Sequence, residues 1–422
     1  MIDVFRFFIA VCFLLMCSTA TVHAHGWDSV IEPTPLVPDY ILAVDKESQK
    51  LHLLVHQSPL HAETSFSCAT GQAPGDKEVE GDLKTPEGVY FTTGKRIGLK
   101  DYELYGKMAF PLDFPNPVDR IKGKTGYGIW IHGRGKKLVP MDTKGCVALA
   151  NDDINYLDET IKPGAPVIIG QKVRWEKSSD VQSSDSRELE GLVHKWVSDW
   201  ENRDNGFFEA YSPDLFAKSE NRSFSAFKNR KKRIFSQTEW IDIEIYNLRA
   251  LRGPDYWVTW FDQYYRSGRL SSSSSKRLYW QKVDGRWKIV GREYGPSINS
   301  LKNKYLATKL SGVEKFLDKW KQSWLSADLD SYISLYDPGA RQGRLKGADS
   351  IRDNKISIWK DRSPTAVNFG KISLHEHPNG LEAVFRQEYS DSSGYSDMGL
   401  KKMVLRPHLG GWLIVDEQWR KL

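Results

Sequence analysis

Cysteine is scarce in this sequence, with four among 422 residues: Cys12, Cys17, Cys68 and Cys146. The first two fall in the apolar run Phe7 to Cys17, which has the length of a secretory leader, and Val22-His23-Ala24 places small residues where a signal peptidase reads. Cleavage after Ala24 is expected, so residues 1–24 form a signal peptide and the protein is exported. Only Cys68 and Cys146 then remain, which excludes a disulfide framework and leaves one Cys68 to Cys146 bridge as the alternative to two free thiols. Long hydrophobic runs are missing as well. The leader is too short for a comfortable membrane span. An uncleaved anchor is the second reading, because Arg6 is its only cation and Asp3 opposes it. Strong charge is also absent: a net +6 suggests attraction to polyanions in general, and nothing resembles a nucleic-acid reader.

What is present is unevenly spread. Trp27, Trp130 and Trp175 precede residue 190, while the other twelve of fifteen tryptophans follow it. A polar Ser/Asp-rich stretch at this composition shift predicts a linker over 172–187. Beyond it the chain repeats. At an offset of 124 residues Trp196 falls on Trp320, Trp200 on Trp324, Lys231 on Lys355, Phe261 on Phe385, Gln263 on Gln387, Tyr265 on Tyr389 and Glu293 on Glu417. One residue of slip aligns Tyr211-Ser212-Pro213 with Tyr336-Asp337-Pro338, and Trp287 with Trp412. Each copy opens with helical spacing, as in Leu189, Leu192, Val193, Trp196, Val197 and Trp200. Each closes with alternating strands, expected over Tyr256 to Tyr265 and Leu278 to Val290, then Glu382 to Tyr389 and Lys402 to Val415.

The pattern WxxxW, then YxP or YDP, then a strand ending GRWKIV or GGWLIV resembles the nuclear transport factor 2-like superfamily. That likeness implies two α+β cone-shaped domains, over 188–298 and 312–422. Neither copy contains a matched acid/base set. His375-Glu376-His377 has no third partner and reads as two solvent-facing imidazoles rather than a metal fragment. The run Lys228-Asn229-Arg230-Lys231-Lys232-Arg233 reads as a solvated helix face, since the second copy, Arg352-Asp353-Asn354-Lys355, does not keep the charge.

The first domain has a different texture. Tyr40 to Val44, Leu51 to Val55, Gly88 to Thr93 and Gly128 to Ile131 are short strands broken by Gly and Pro turns, which predicts a mostly β unit. A helix is expected from Asn151, its side chain capping the amides of Asp153 and Ile154. Between these elements lie Ile131-His132-Gly133 and Thr143-Lys144-Gly145-Cys146-Val147. A thiol becomes a nucleophile when a base takes its proton, and His132 serves if the fold brings it close, with its other nitrogen oriented by the Gly133 carbonyl. The Gly145 and Cys146 amides are natural oxyanion donors. Tyr127 and Trp130 are candidates for the cleft wall, with at least one of them expected in the core, and Cys68 reads as a buried strand residue.

The wording around this pair, Gly75-Asp76-Lys77, Gly81-Asp82, Thr85-Pro86-Glu87-Gly88-Val89-Tyr90, the two motifs above and Asn151-Asp152-Asp153, resembles the L,D-transpeptidase catalytic domain of bacterial cell-wall enzymes, over residues 38–171. The resemblance implies a β-sandwich with short helices, and periplasmic action on peptidoglycan stem peptides. In that family a cysteine attacks the carbonyl on the L-centre of diaminopimelate and expels D-alanine. An amine of another stem then resolves the acyl-enzyme as a cross-link, or water resolves it as a tripeptide. Carried over, Cys146 is the nucleophile, His132 the base, Gly133 its orienting carbonyl and Gly145 part of the oxyanion site. Lys84, Arg134, Trp130 and Thr143 are further candidates for substrate binding, and a cation such as Lys84 or Arg134 beside the thiol would lower its pKa. Ala148 stands where many members have Arg, so donor recognition must differ. The motif wording also looks like the subfamily that includes L,D-carboxypeptidases of helical and curved bacteria. No metal or cofactor is implied. A wall glycan or a protein is the expected partner of the C-terminal domains, where self-association is also allowed, and a pure binding protein is the reading of another class.

Overall fold

The computed structural model describes residues 26–57, 59–177, 184–268, 270–295 and 301–422, so the expected signal peptide and part of the expected linker lie outside the described residues. The protein is multidomain, with a mostly β unit followed by two α+β units.

The first unit is a nine-stranded path. Tyr40–Asp45 pairs with Lys50–His56, which pairs with Leu60–Ala69; Pro166–Gly170 and Gly88–Phe91 extend that half. The last two residues of Leu60–Ala69 then pair with Val147–Ala150, and Trp130–Arg134, Met108–Pro111 and Arg96–Ile97 complete the other half. The path folds over itself: Leu42, Val44, Val167 and Ile169 from one half share a core with Phe110, Ile131, Val147 and Leu149 from the other. Alternation along a strand sends neighbouring side chains to opposite faces. Each half therefore has a second face. For the first half it carries Ile41, Ala43, Val89, Phe91 and Ile168, which pack on Tyr256, Val258, Tyr279 and Val290 of the first repeat. Burial on both faces explains why Tyr40–Asp45 and Pro166–Gly170 are almost continuously apolar.

Polar bonds lock that interface. The Tyr256 hydroxyl accepts from the Val89 amide at 2.8 Å and from Asn116 Nδ2 at 3.0 Å, while Arg277 reaches Asp113 at 2.6 Å.

The two repeats are duplicates at the level of side chains. Trp196 Nε1 donates to Tyr211 Oη at 3.2 Å, and Trp320 Nε1 to Tyr336 Oη at 3.1 Å. Phe261 lies opposite Lys276 and Phe385 opposite Lys401 in the same strand pairing. Each sheet holds one more hairpin than the sequence pattern suggested. Asp284 and Gly285 have φ of +50° and +75°, and Leu409 and Gly410 of +44° and +74°, so tight turns split the expected single strands into Leu270–Val283 with Arg286–Tyr294, and Ser396–His408 with Gly411–Lys421.

The basic helix Phe224–Gln237 exposes Arg230, Lys232 and Arg233 as expected and departs at one residue. Lys231 is not on a solvated face: its ammonium lies 4.0 Å from the Trp200 ring centre, and burial lowers it to about 7. Lys355 holds the equivalent place, 4.7 Å from Trp324. The copies meet where Arg266 donates to the carbonyls of Gly380 and His377, at 2.9 and 3.1 Å, and where Lys309 bridges Asp242 and Glu244 at 2.6 and 2.7 Å. Glu376, between the two histidines singled out above, accepts from Tyr264 of the first repeat. No helix among the described residues is long and apolar enough to cross a membrane.

Candidate active site

The second half of the first unit turns its core residues inward and sets a second row of side chains on the opposite face. Ile131 faces Val147 across parallel strands, and His132 faces Ala148. By alternation Trp130, His132, Arg134, Ala148 and, two residues before Ala148, Cys146 share the outer face. His132 is 2% exposed, and its Nδ1 lies 2.7 Å from the Gly133 carbonyl. A carbonyl only accepts, so the proton sits on Nδ1 and Nε2 is left unprotonated and able to accept one.

Cys146 is free and half-buried. Its thiol lies 3.5 Å from the Gly128 carbonyl, in the direction of a donated hydrogen bond. Burial pushes the thiol up to about 11, against the pull of the Trp130 amide and then of Arg134 and Lys77. Burial likewise holds His132 down to about 4, opposed by its bond to Gly133. The cations beside the thiol therefore do not make it a resting thiolate, as the sequence suggested. The resting pair is a neutral thiol and a neutral imidazole.

The turn before the thiol is pinned by Thr143, whose hydroxyl donates to the Cys146 carbonyl at 2.8 Å and accepts from the Gly145 amide at 3.1 Å. That bond occupies the Gly145 amide, which was expected as an oxyanion donor. Gly145 is needed for a different reason: its φ is +123°, and a Cβ there would come within 2.8 Å of the Lys84 carbonyl. Lys84 thus meets the site through its backbone. Arg134 is 4% exposed, donates to the carbonyl and carboxylate of Asp142 at 3.0 and 2.5 Å, and so closes the loop between base and thiol.

Cys68 pairs with Leu149 and sits 1% exposed in the core, on the face opposite the thiol of Cys146. This geometry disfavours the alternative bridge. Burial pushes its thiol up to about 12.

Asn151 does not cap its helix. It is the first residue of Asn151–Thr160, with Ala150 at the N-cap and no side-chain capping bond. Its amide instead donates to the Arg134 carbonyl at 2.9 Å and to Tyr102 Oη at 3.1 Å, and its Oδ1 accepts from the Lys107 amide at 3.0 Å. It ties the strand that carries His132 to the short helix Tyr102–Tyr105.

That helix supplies what the sequence reading missed. The Tyr105 ring stands edge-on to His132 at 5.2 Å and 5.4 Å from Trp130, whose other neighbour is the Arg96 guanidinium at 5.1 Å. Asp101 accepting from the Leu104 amide, and Gly106 with φ +60°, are the cap and stop signals that could have marked this helix. Tyr127 is 79% exposed and Trp130 half-buried, so neither is core. No cluster of metal-binding side chains occurs among the described residues.

A separate cavity of about 750 Å³ opens in the second repeat, lined by Trp324, Lys355, Trp359, Tyr389, Lys401 and Glu417.

These features define a class: proteins in which a catalytic domain of the L,D-transpeptidase type is joined to NTF2-like domains. Residues 39–169 match the L,D-transpeptidase catalytic domain, and residues 188–293 and 312–418 each match the Cds6 C-terminal NTF2-like domain. The chain belongs to the Cds6 C-terminal NTF2-like domain family and carries an L,D-transpeptidase catalytic domain. It is 32% identical over 122 residues to the inferred L,D-transpeptidase YafK of Escherichia coli strain K12, covering 28% of this chain and 46% of that protein. The chain thus spans under half the length of the curated relatives it matches. Among solved structures it is similar to Bdellovibrio bacteriovorus Bd1075, at 27% identity and a TM-score of 0.48 over 64% of this chain and 97% of that one. The helical cell shape determining protein Pgp2 of Campylobacter jejuni follows, at 26% identity and a TM-score of 0.47 over 60% and 91%.

Proposed function

We propose that the protein is an exported peptidoglycan-modifying enzyme that cleaves the diaminopimelate to D-alanine bond of stem tetrapeptides through a Cys146 acyl-enzyme, and passes the acyl group to an amine of another stem. The observation that carries this reading is His132 on one strand and Cys146 immediately before the parallel strand paired with it, with Nδ1 of His132 held by the Gly133 carbonyl. The thiol proton passes to His132 Nε2 as sulfur attacks the carbonyl on the L-centre. The Cys146 amide is the oxyanion donor of the turn, since the Gly145 amide is occupied. The protonated imidazole then delivers its proton to the departing amine of D-alanine, and the neutral imidazole activates the acceptor.

Neutral resting groups suit this order of events. Charge develops only in the transition state, where a dry site with oriented dipoles stabilises it most. Thr143, Gly145 and Arg134 act on position: the first two shape the turn, and the last fixes the loop that joins base and thiol. The cavity of the second repeat, aromatic with buried lysines, is the place for a wall glycan or peptide that would hold the enzyme on its substrate.

Incubating the full chain with disaccharide tetrapeptide and weighing the products tests this. Cross-linked dimer with released D-alanine is expected. Tripeptide without dimer would assign water as the acceptor and make the enzyme a carboxypeptidase. A Cys146→Ala variant that still released D-alanine would overturn the thiol mechanism, and a wild type that bound muropeptide without turnover would make the protein a binding module.

A further inference from the structure

Ala148 leaves the strand beside the base without a guanidinium, and the sheet supplies one from the other side. Arg96 faces Ala109, Ala109 faces His132 and His132 faces Ala148 in successive strand pairs. Residues directly opposite in a sheet share a face, so these four side chains form one row across four strands. Strand spacing puts Arg96 two strands, or about 10 Å, from His132. Ala109 and Ala148, both fully buried, offer nothing beyond a Cβ on either side of the imidazole.

Trp130 occupies the space between Arg96 and the thiol. It precedes His132 by two residues on the same face, and its amide acts on the Cys146 sulfur. Its ring lies 5.1 Å from the Arg96 guanidinium and 5.4 Å from the Tyr105 ring. Arg96 is exposed, and its guanidinium has no carboxylate partner or hydrogen bond among the described residues. Three buried cations near the site are engaged: Arg134 with Asp142 through Nη2, Lys77 with Asp82, and Lys124 with Asp76 and Asp119. A peptide with its reacting carbonyl at Cys146 and its chain across Trp130 would run towards Arg96.

We propose that Arg96 recognises a free carboxylate of the acyl donor, with Trp130 and Tyr105 as the platform that holds the guanidinium in place. This rests on the peptidoglycan reading above and assigns the donor selectivity that Ala148 leaves unprovided. A guanidinium suits the task because its planar fork binds a carboxylate through two parallel bonds while stacking on an indole. A stem tetrapeptide offers two such carboxylates close to the scissile bond, on the terminal D-alanine and on the D-centre of diaminopimelate.

The test is steady-state kinetics of the full-length wild type, Arg96→Gln and Arg96→Lys on three donors: disaccharide tetrapeptide, its D-alanine amide and its diaminopimelate D-centre amide. Arg96→Gln is expected to raise KM roughly tenfold with kcat within about twofold, the size of a partly exposed charge-assisted bond, and Arg96→Lys to recover part of the loss. One amide should raise the wild-type KM by a similar factor and leave the Arg96→Gln KM unchanged, and which amide does so names the carboxylate. A KM for Arg96→Gln within about twofold of wild type overturns the proposal. So does an equal penalty from each amide in both proteins. Those results leave D-alanine release by the wild type intact, whereas a wild type inactive on all three donors, or an active Cys146→Ala, defeats the underlying reading and this proposal with it.

Discussion

His132 and Ala148 lie directly opposite each other on adjacent parallel strands, and this register puts the imidazole and the Cys146 thiol on one face. A slip of one residue would turn either group into the core. Ile131 and Val147, the neighbouring pair, face inward with 0% exposure each. The apolar residues that fix the register therefore also fix the site.

The first prediction concerns pH. With the thiol raised to about 11 and His132 lowered to about 4, both groups are neutral between those values. Iodoacetamide labelling of Cys146 should climb about tenfold per unit from pH 6 to 9 without a plateau near neutrality, since the thiolate is the reactive form. Cys68, raised to about 12 and buried, should label more slowly still. A plateau of Cys146 labelling below pH 7, read by mass spectrometry, would show a resting thiolate instead.

The same burial predicts a stability effect. The unfolded chain takes up the His132 proton near pH 6.5, and the folded one only near 4. Between these values the unfolded state binds more protons, so stability is full above 6.5 and is lost as pH falls towards 4. The loss attributable to this group is at most about 3 kcal/mol. Urea unfolding at pH 7.5 and 4.5 should show a smaller difference for His132→Gln than for wild type; equal differences would place the acid sensitivity elsewhere.

Asn151 gives a third test. Its three bonds join the base strand, the Lys107 amide and the Tyr102 hydroxyl. Asn151→Ala should cost about 0.5–1.5 kcal/mol, the net scale for a hydrogen bond that water can partly replace, and lower kcat by tenfold or more because the His132 strand loses its brace. Asn151→Asp keeps the acceptor to Lys107 and should fall between. Thermal melts and D-alanine release measured together decide it. Full kcat with a reduced Tm would assign Asn151 to folding alone.

Much of this was legible in the sequence, for identifiable reasons. His132, Gly133 and Cys146 sit in contiguous motifs, and the repeat declares itself through large aromatics at a fixed offset, because Trp196 and Trp320 have equivalent tyrosine partners, Tyr211 and Tyr336. Other features depend on long-range pairing. Arg96 reaches the site only through two strand pairings, and Tyr105 through a four-residue helix held by Asn151 from far along the chain. Asn151 looked like a cap because cap and brace use the same side chain, and only the fold says which partners lie within reach. The buried place of Lys231 was hidden by its basic neighbours, for a helix of lysines gives no sign of which one turns inward.

Lys355 carries the last prediction. It is 8% exposed beside the Trp324, Tyr332 and Trp359 rings, and burial lowers it to about 8, against the pull of Glu417 and with the push of Lys401. Glu417 is already bonded to Lys401 at 2.5 Å, so it compensates the second ammonium only in part. In the unfolded chain Lys355 titrates near 10.5, so folding below pH 8 confines a charge that water would hold better. Lys355→Met keeps the length and removes the charge. It should raise stability at pH 7 by up to about 3 kcal/mol, and the gain should shrink as pH rises through 8 towards 10.5, where the wild-type amine is neutral in both states. Chemical denaturation of both proteins at pH 7 and 10 measures the gap. A Met variant less stable than wild type at pH 7 would mean that the ammonium on the Trp324 face is worth more than its lost hydration, and a gap independent of pH would mean that packing rather than charge sets the difference.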